Sequence, residues 1–313
     1  MNLNGWVMVV FMILLVLVPP YTVLTEEPFF LDLVMRTVIL AIAAVSLNLI
    51  LGYGGMISFG HAAYLGIGAY CVGIPAYYDN YGGFYQLGIT IAVCAAFAFI
   101  TGLVCLRTRG VYFIMITLAF AQMVFFALVS LDEYGGDDGL VIYERSEFPM
   151  DLDLGDNITL YYVCLLVLAL SLLVVHRIVR SRFGLVIRGS SGNDARLQSL
   201  GLPTFRYRLT CYVISGVMCG IAGWLLGNFT YFISPEMMNW IRSGELIFMV
   251  VLGGAGSLFG PVLGTAAFIA IEEFLSGFTV YWQLIFGVFL ILVVLFGRGG
   301  LHGFIESLSR RRS

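Results

Sequence analysis

Apolar residues dominate ten stretches of this chain, at about 6–24, 33–51, 60–77, 87–106, 111–131, 159–176, 207–230, 244–257, 261–277 and 281–297. Most approach the roughly twenty residues that a helix needs to cross a bilayer. The pattern predicts an all-α polytopic membrane protein of about ten transmembrane helices. The range is eight to ten, because glycine interrupts two regions. A single integral domain over residues 1–313 is the simplest organisation. Met1-Asn2-Leu3-Asn4-Gly5 lacks the positive charge that opens a secretory signal, so the run at 6–24 is expected to be a retained first span.

Composition strengthens this reading. The chain is 60% hydrophobic and 11% charged, with a mean hydropathy of +0.96, well beyond soluble globular proteins. Charge then orients it. Thirteen of the sixteen arginines fall in three places, namely Arg107 with Arg109, the segment 177–208, and the C-terminus from Arg298. With those on the cytoplasmic side, both termini lie inside and every span alternates without conflict. The opposite side receives the loop 132–158, with nine acids against Arg145 alone. Tyr77, Tyr78, Tyr81, Tyr85, Tyr161, Tyr162, Tyr231, Trp240, Tyr281 and Trp282 cluster at the outer boundaries, as an interfacial belt does.

The segment 177–208 holds seven arginines and one acid, Asp194. Placing seven guanidinium groups at mid-bilayer would cost about 20 kcal/mol, at about 3 kcal/mol each, so this loop stays in water. Within it, Asn193, Asp194, Ala195, Arg196, Leu197, Leu200 and Gly201 read as one short helix. Asn193 supplies the start signal and Gly201 followed by Pro203 the stop. A capped helix on the inner face suggests a docking element; an ordinary solvated connector is the plainer alternative.

Two glycine-rich interruptions are candidates for a substrate pathway. The first carries Gly52, Gly54, Gly55, Ser58, Gly60 and His61; the second carries Gly253, Gly254, Gly256 and Ser257. Such breaks expose backbone groups within a membrane protein, and transporters use them to hold polar solutes. Two tight turns between ordinary spans are the alternative. Asp32 and Arg36, four apart, can pair along one helix face.

Several chemistries are excluded. All sixteen basic residues are arginine, so a phosphate-binding loop of the G-x-x-x-x-G-K-[ST] type and any lysine Schiff base are impossible. No catalytic triad, paired carboxylates or metal-ligand spacing stands out, so no catalytic or metal residue is assigned. Cys71, Cys94, Cys105, Cys164, Cys211 and Cys219 read as small buried apolar residues.

Residues 46–70, centred on Leu51-Gly52-Tyr53-Gly54-Gly55-Met56-Ile57-Ser58-Phe59-Gly60-His61, resemble the early signature of bacterial ABC-transporter permeases for branched-chain amino acids. Residues 241–264, including Leu252-Gly253-Gly254-Ala255-Gly256-Ser257-Leu258-Phe259-Gly260-Pro261, are similar to that family's C-terminal signature, and Gly135-Gly136-Asp137-Asp138-Gly139-Leu140 to its outer loop. The resemblance runs from about residue 35 to 300. It implies a transport subunit rather than an enzyme, in the bacterial inner membrane, with no cofactor of its own. ATP and magnesium would sit on two partner ATPase subunits. A homologous second permease and a periplasmic substrate-binding protein complete the implied assembly, with the lipid bilayer around it and no nucleic acid. The segment from Asn193 through Gly201 would dock on the ATPase, although Asp194 stands where the family commonly has Glu, and Leu197 where it has a small Ala. A urea or short-amide permease on the same scaffold, or a self-contained ion-coupled transporter, are the rival readings.

Overall fold

A computed structural model describes residues 11–25, 28–148, 154–279 and 281–296, together with 300, 301 and 303. The backbone follows the apolar runs. Helix α1 spans Val18–Thr25, α2 Pro28–Asn48, α3 His61–Tyr77, α4 Gly83–Cys105, α5 Val111–Val129, α6 Asn157–Arg180, α7 Arg182–Ser199, α8 Thr204–Thr230, α9 Trp240–Gly253, α10 Gly260–Ser276 and α11 Trp282–Phe296. Residues 11–16 are helical as well; the remainder of the first predicted span, 6–10, and the arginines of the C-terminus lie outside the described residues.

The protein is an all-α membrane protein. Five stretches among the described residues are long and apolar enough to cross a bilayer: Pro28–Tyr53, Gly83–Cys105, Val111–Val129, Asn157–Arg180 and Thr204–Thr230. The other apolar runs form shorter helices. At 14 residues, α9 extends about 21 Å, less than the roughly 30 Å hydrocarbon layer.

Helix α8 is the centre of the bundle, packing against α2, α3 and α4. Its glycines explain how. Gly216, Gly220, Gly223 and Gly227 form a flat ridge at near-helical spacing, and a methyl group on Gly223 would lie 1.8 Å from the Leu65 carbonyl of α3. Facing it, a methyl on Gly68 would lie 2.0 Å from the Gly220 carbonyl. Backbones meet directly here because no hydrophobic effect drives helices together in lipid, so close packing must supply the attraction. Helices α9 and α10 form a hairpin of the same kind, in which a methyl on Gly253 would strike the Gly260 carbonyl. All six cysteines are buried and unbridged.

At the acidic end, a two-stranded ribbon closes the bundle, with β1 (Leu140–Val141) antiparallel to β2 (Phe232–Ile233). Arg145 secures it. The guanidinium donates from Nε to the Asn228 carbonyl (2.9 Å), from Nη1 to the carbonyls of Leu154 (2.8 Å) and Gly155 (3.2 Å), and from Nη2 to Asn157 Oδ1 (2.8 Å). It also sits 4.5 Å from the centre of the Tyr231 ring.

Two expectations change and a third is extended. Arg36 pairs with Glu272 of α10 at 3.1 Å, not with Asp32; the tertiary partner across the helix seam replaces the local one. Tyr161 is fully buried, its hydroxyl donating to the Leu15 carbonyl at 2.6 Å, so it is no part of the exposed aromatic belt. The helix expected from Asn193 to its stop at Gly201 is present, and a second helical stretch precedes it. Helical backbone begins at Arg182 and breaks at Asn193, whose non-helical φ of −152° and ψ of 95° separate the two. Ser181 explains the earlier start, because its side chain accepts from the Gly184 amide and caps the helix.

Candidate functional site

The two glycine interruptions meet in space, through bonds between residues 208 and 209 positions apart. Helix α2 ends at Asn48 and loosens into a π-helical turn, Leu49–Tyr53. The chain then reverses at Gly55, whose φ of +64° favours glycine. Helix α9 ends beside it, where Gly254 and Gly256 take φ values of +111° and +79°. Asn48 joins the two. Its Nδ2 donates to the Ser257 carbonyl at 2.8 Å, and its Oδ1 accepts from the Gly256 amide at 2.9 Å. Gly52 makes this possible, since a methyl there would lie 2.1 Å from Asn48 Oδ1 and 2.3 Å from the Gly256 nitrogen. Ser257 folds the second turn by accepting from Gly260 N at 3.0 Å and donating to the Gly254 carbonyl at 2.7 Å.

The remaining residues proposed for the pathway are embedded in packing. Ser58 and His61 are fully buried. His61 Nε2 pairs with Ser215 Oγ of α8 at 2.9 Å, while its Nδ1 has no partner among the described residues. Gly60 lies against the backbone of Thr117 in α5. The structure therefore brings Gly52, Gly256 and Ser257 together around Asn48, assigns Gly253 to the α9–α10 seam, and leaves His61 as an interhelical tie.

Gly54 and Gly55 reach towards the docking segment. With Arg109, Asp194 and Arg208 they line a polar pocket of about 330 Å³. A methyl on Gly55 would lie 2.5 Å from Ser191 Oγ, so the first break touches the turn of helix that leads into the segment. Arg208 donates towards the Met56 sulfur at 3.4 Å. Asp194 is buried, ion-paired with Arg109 and accepting from Gln198 Nε2 at 3.2 Å. It thus faces the bundle rather than outward. Asn193 Oδ1 accepts from Arg196 N at 3.0 Å, the capping contact expected of it. Gly201 ends the helix with φ +81°. Asn193, Ala195, Arg196, Leu200 and Gly201 are exposed, and Leu197 leans on Gly189.

Sequence reasoning missed Asn48 and Arg109. Asn48 stood inside an apolar run as its one carboxamide, a signal that an intramembrane amide has a designated partner. Nothing local pointed to Arg109. A cleft of about 710 Å³ between α3, α4 and α5, including Tyr70, Tyr85, Phe97 and Phe120, was also unforeseen, because its residues are scattered over three apolar helices.

Residues 29–295 match the family described as the permease component of branched-chain amino acid transport systems. The chain belongs to this family. It is 30% identical over 293 residues to the high-affinity branched-chain amino acid transport system permease protein LivM of Salmonella typhimurium, covering 86% of this chain and 69% of the relative. LivM of Escherichia coli is 29% identical over the same shares. A shorter match joins it to the probable branched-chain amino acid transport permease protein LivH of Methanocaldococcus jannaschii, 27% identical over 47% of each chain. No solved structure matches at a significant level. The expected family is thereby borne out, and the chain is a transport permease in place of an enzyme.

Proposed function

We propose that this chain is the membrane permease of an ATP-driven importer for branched-chain amino acids, seated in a bacterial inner membrane with both termini in the cytoplasm. A second homologous permease, two ATP-binding subunits and a periplasmic binding protein complete the machine. The observation that carries this reading is the exposed face of Asn193, Ala195, Arg196, Leu200 and Gly201, projecting from a bundle whose family is a transport family. The chain itself lacks lysine and so a P-loop of its own, so ATP can drive it only through a partner that binds the nucleotide.

The binding protein delivers a zwitterionic solute to the acidic end. Such a solute needs hydrogen bonds throughout its passage, because unpaired charge in hydrocarbon is expensive. The glycine breaks supply them when they open, which frees the backbone groups that Asn48 and Ser257 hold. Closure of the ATP-binding subunits moves the docking segment. Ser191 against Gly55, and Asp194 with Arg109, carry that movement into the bundle.

Purification of the tagged chain from its native membrane, followed by mass spectrometry and reconstitution, tests this. Two ATP-binding subunits and a second permease should copurify, and leucine uptake into proteoliposomes should require ATP. Uptake by the chain alone, without ATP, would refute it.

A further inference from the structure

The two glycine breaks and the docking segment form one continuous contact, and a single side chain completes it. Ser191, two residues before the break at Asn193 that opens the docking segment, rests on Gly55. Three residues back, Gly52 lies against Gly256, in the space left by two absent side chains. The amide of Asn48 closes the gap, giving one hydrogen bond and taking another from the second break at 2.8 and 2.9 Å. Its donor and acceptor lie side by side, as in a peptide group, so the side chain serves as an extra link of backbone between segments that have no ladder of their own. Asn48 is 1% exposed, and water cannot stand in for it.

We propose that Asn48 is a positioning residue for transport, the bolt that makes opening of the paired glycine breaks depend on movement of the docking helix. The segment after Asn48 is already a π-helical turn, a local departure from α-helical pairing that is common at moving parts. Displacement of Ser191 shifts Gly55. The turn transmits that shift to Asn48, and its two bonds to Gly256 and Ser257 carry it to the α9–α10 hairpin. Without the bolt, the docking helix still moves but the second break does not follow. This inference rests on the ATP-driven reading given above.

The test uses the complete importer in proteoliposomes, with leucine uptake and ATP hydrolysis measured together. Asn48→Ala removes both bonds. Gly52→Ala leaves Asn48 in place but displaces its carboxamide and forces the two breaks apart, since the added methyl would sit 2.1 Å from Oδ1 and 2.3 Å from the Gly256 nitrogen. Asn48→Asp keeps the size and one acceptor. Both alanine variants should assemble, as gel filtration will show, and transport at least fivefold less leucine per ATP hydrolysed. Asn48→Asp, which sets a second oxygen against the Ser257 carbonyl in place of the donor, should lose as much as the alanine variants. Uptake and hydrolysis declining in equal proportion would reduce Asn48 to a structural tie and overturn the proposal. An unchanged ratio in Gly52→Ala would do the same. Failure of wild-type uptake to need ATP would instead strike the importer reading itself.

Discussion

The α3–α8 seam makes a graded prediction, because its glycines differ in the space that surrounds them. A methyl on Gly223 would lie 1.8 Å from the Leu65 carbonyl, and contacts under 3.0 Å do not persist. Relief therefore requires the helices to part by at least about 1.2 Å, and a gap of that size forfeits a quarter to a half of each dispersion contact along the seam. Overpacking of this kind costs about 3 kcal/mol, near the top of the usual range. Gly227 is looser, its nearest neighbour being Ala69 Cα at 3.3 Å, so Gly227→Ala should cost less than about 1 kcal/mol. Gly88, on α4 and outside this seam, has nothing within 4 Å. There alanine should stabilise by about 0.5–1 kcal/mol, through lower backbone freedom in the unfolded chain. The buried cysteines provide the reporter: a thiol-reactive fluorophore lights up as they become exposed on heating. Gly223→Ala should lower the apparent Tm by roughly 5–10 °C, Gly227→Ala by little, and Gly88→Ala should hold or raise it. Equal losses at Gly223 and Gly227 would refute the claim that backbone contact sets this seam.

The Arg36–Glu272 pair is only partly shielded, so Arg36→Gln and Glu272→Gln should each cost about 1 kcal/mol; their effects on apparent Tm should be less than additive in the double variant, and strict additivity would deny the coupling. Arg145→Lys keeps the charge but not the fork that reaches Asn228, Leu154, Gly155 and Asn157. At least two charged hydrogen bonds are lost, about 3 kcal/mol, and protease should cut the outer loop around β1 several-fold faster, whereas an unchanged rate would show that the loop is held elsewhere. Leu200 is 70% exposed, so Leu200→Asp should leave the apparent Tm within about 0.5 kcal/mol of stability yet reduce copurification of the ATP-binding subunits at least tenfold; a fall in Tm with copurification intact would remove it from the docking face.

The one-dimensional code was sufficient for the class of the fold, since a run that is apolar on all sides has one stable environment and one satisfied backbone conformation there. It also located the glycine breaks, the cap at Asn193, the stop at Gly201 and the long acidic loop, all of which depend on a residue and its near neighbours. The family followed from the two signatures at 46–70 and 241–264. Partnership was different. Nothing near Arg36 favoured Glu272 over Asp32, because helix spacing rewards the residue four away whether or not a better carboxylate arrives from another helix. Asp194 carried the right charge for a helix start, yet Arg109, which turned it inward, is 85 residues distant. The close approach of Gly52 to Gly256, and the carboxamide of Asn48 that spans them, depend on where two helix ends converge. Local chemistry told which segments would break; only the packing of α2, α8, α9 and α10 decided that the breaks would meet.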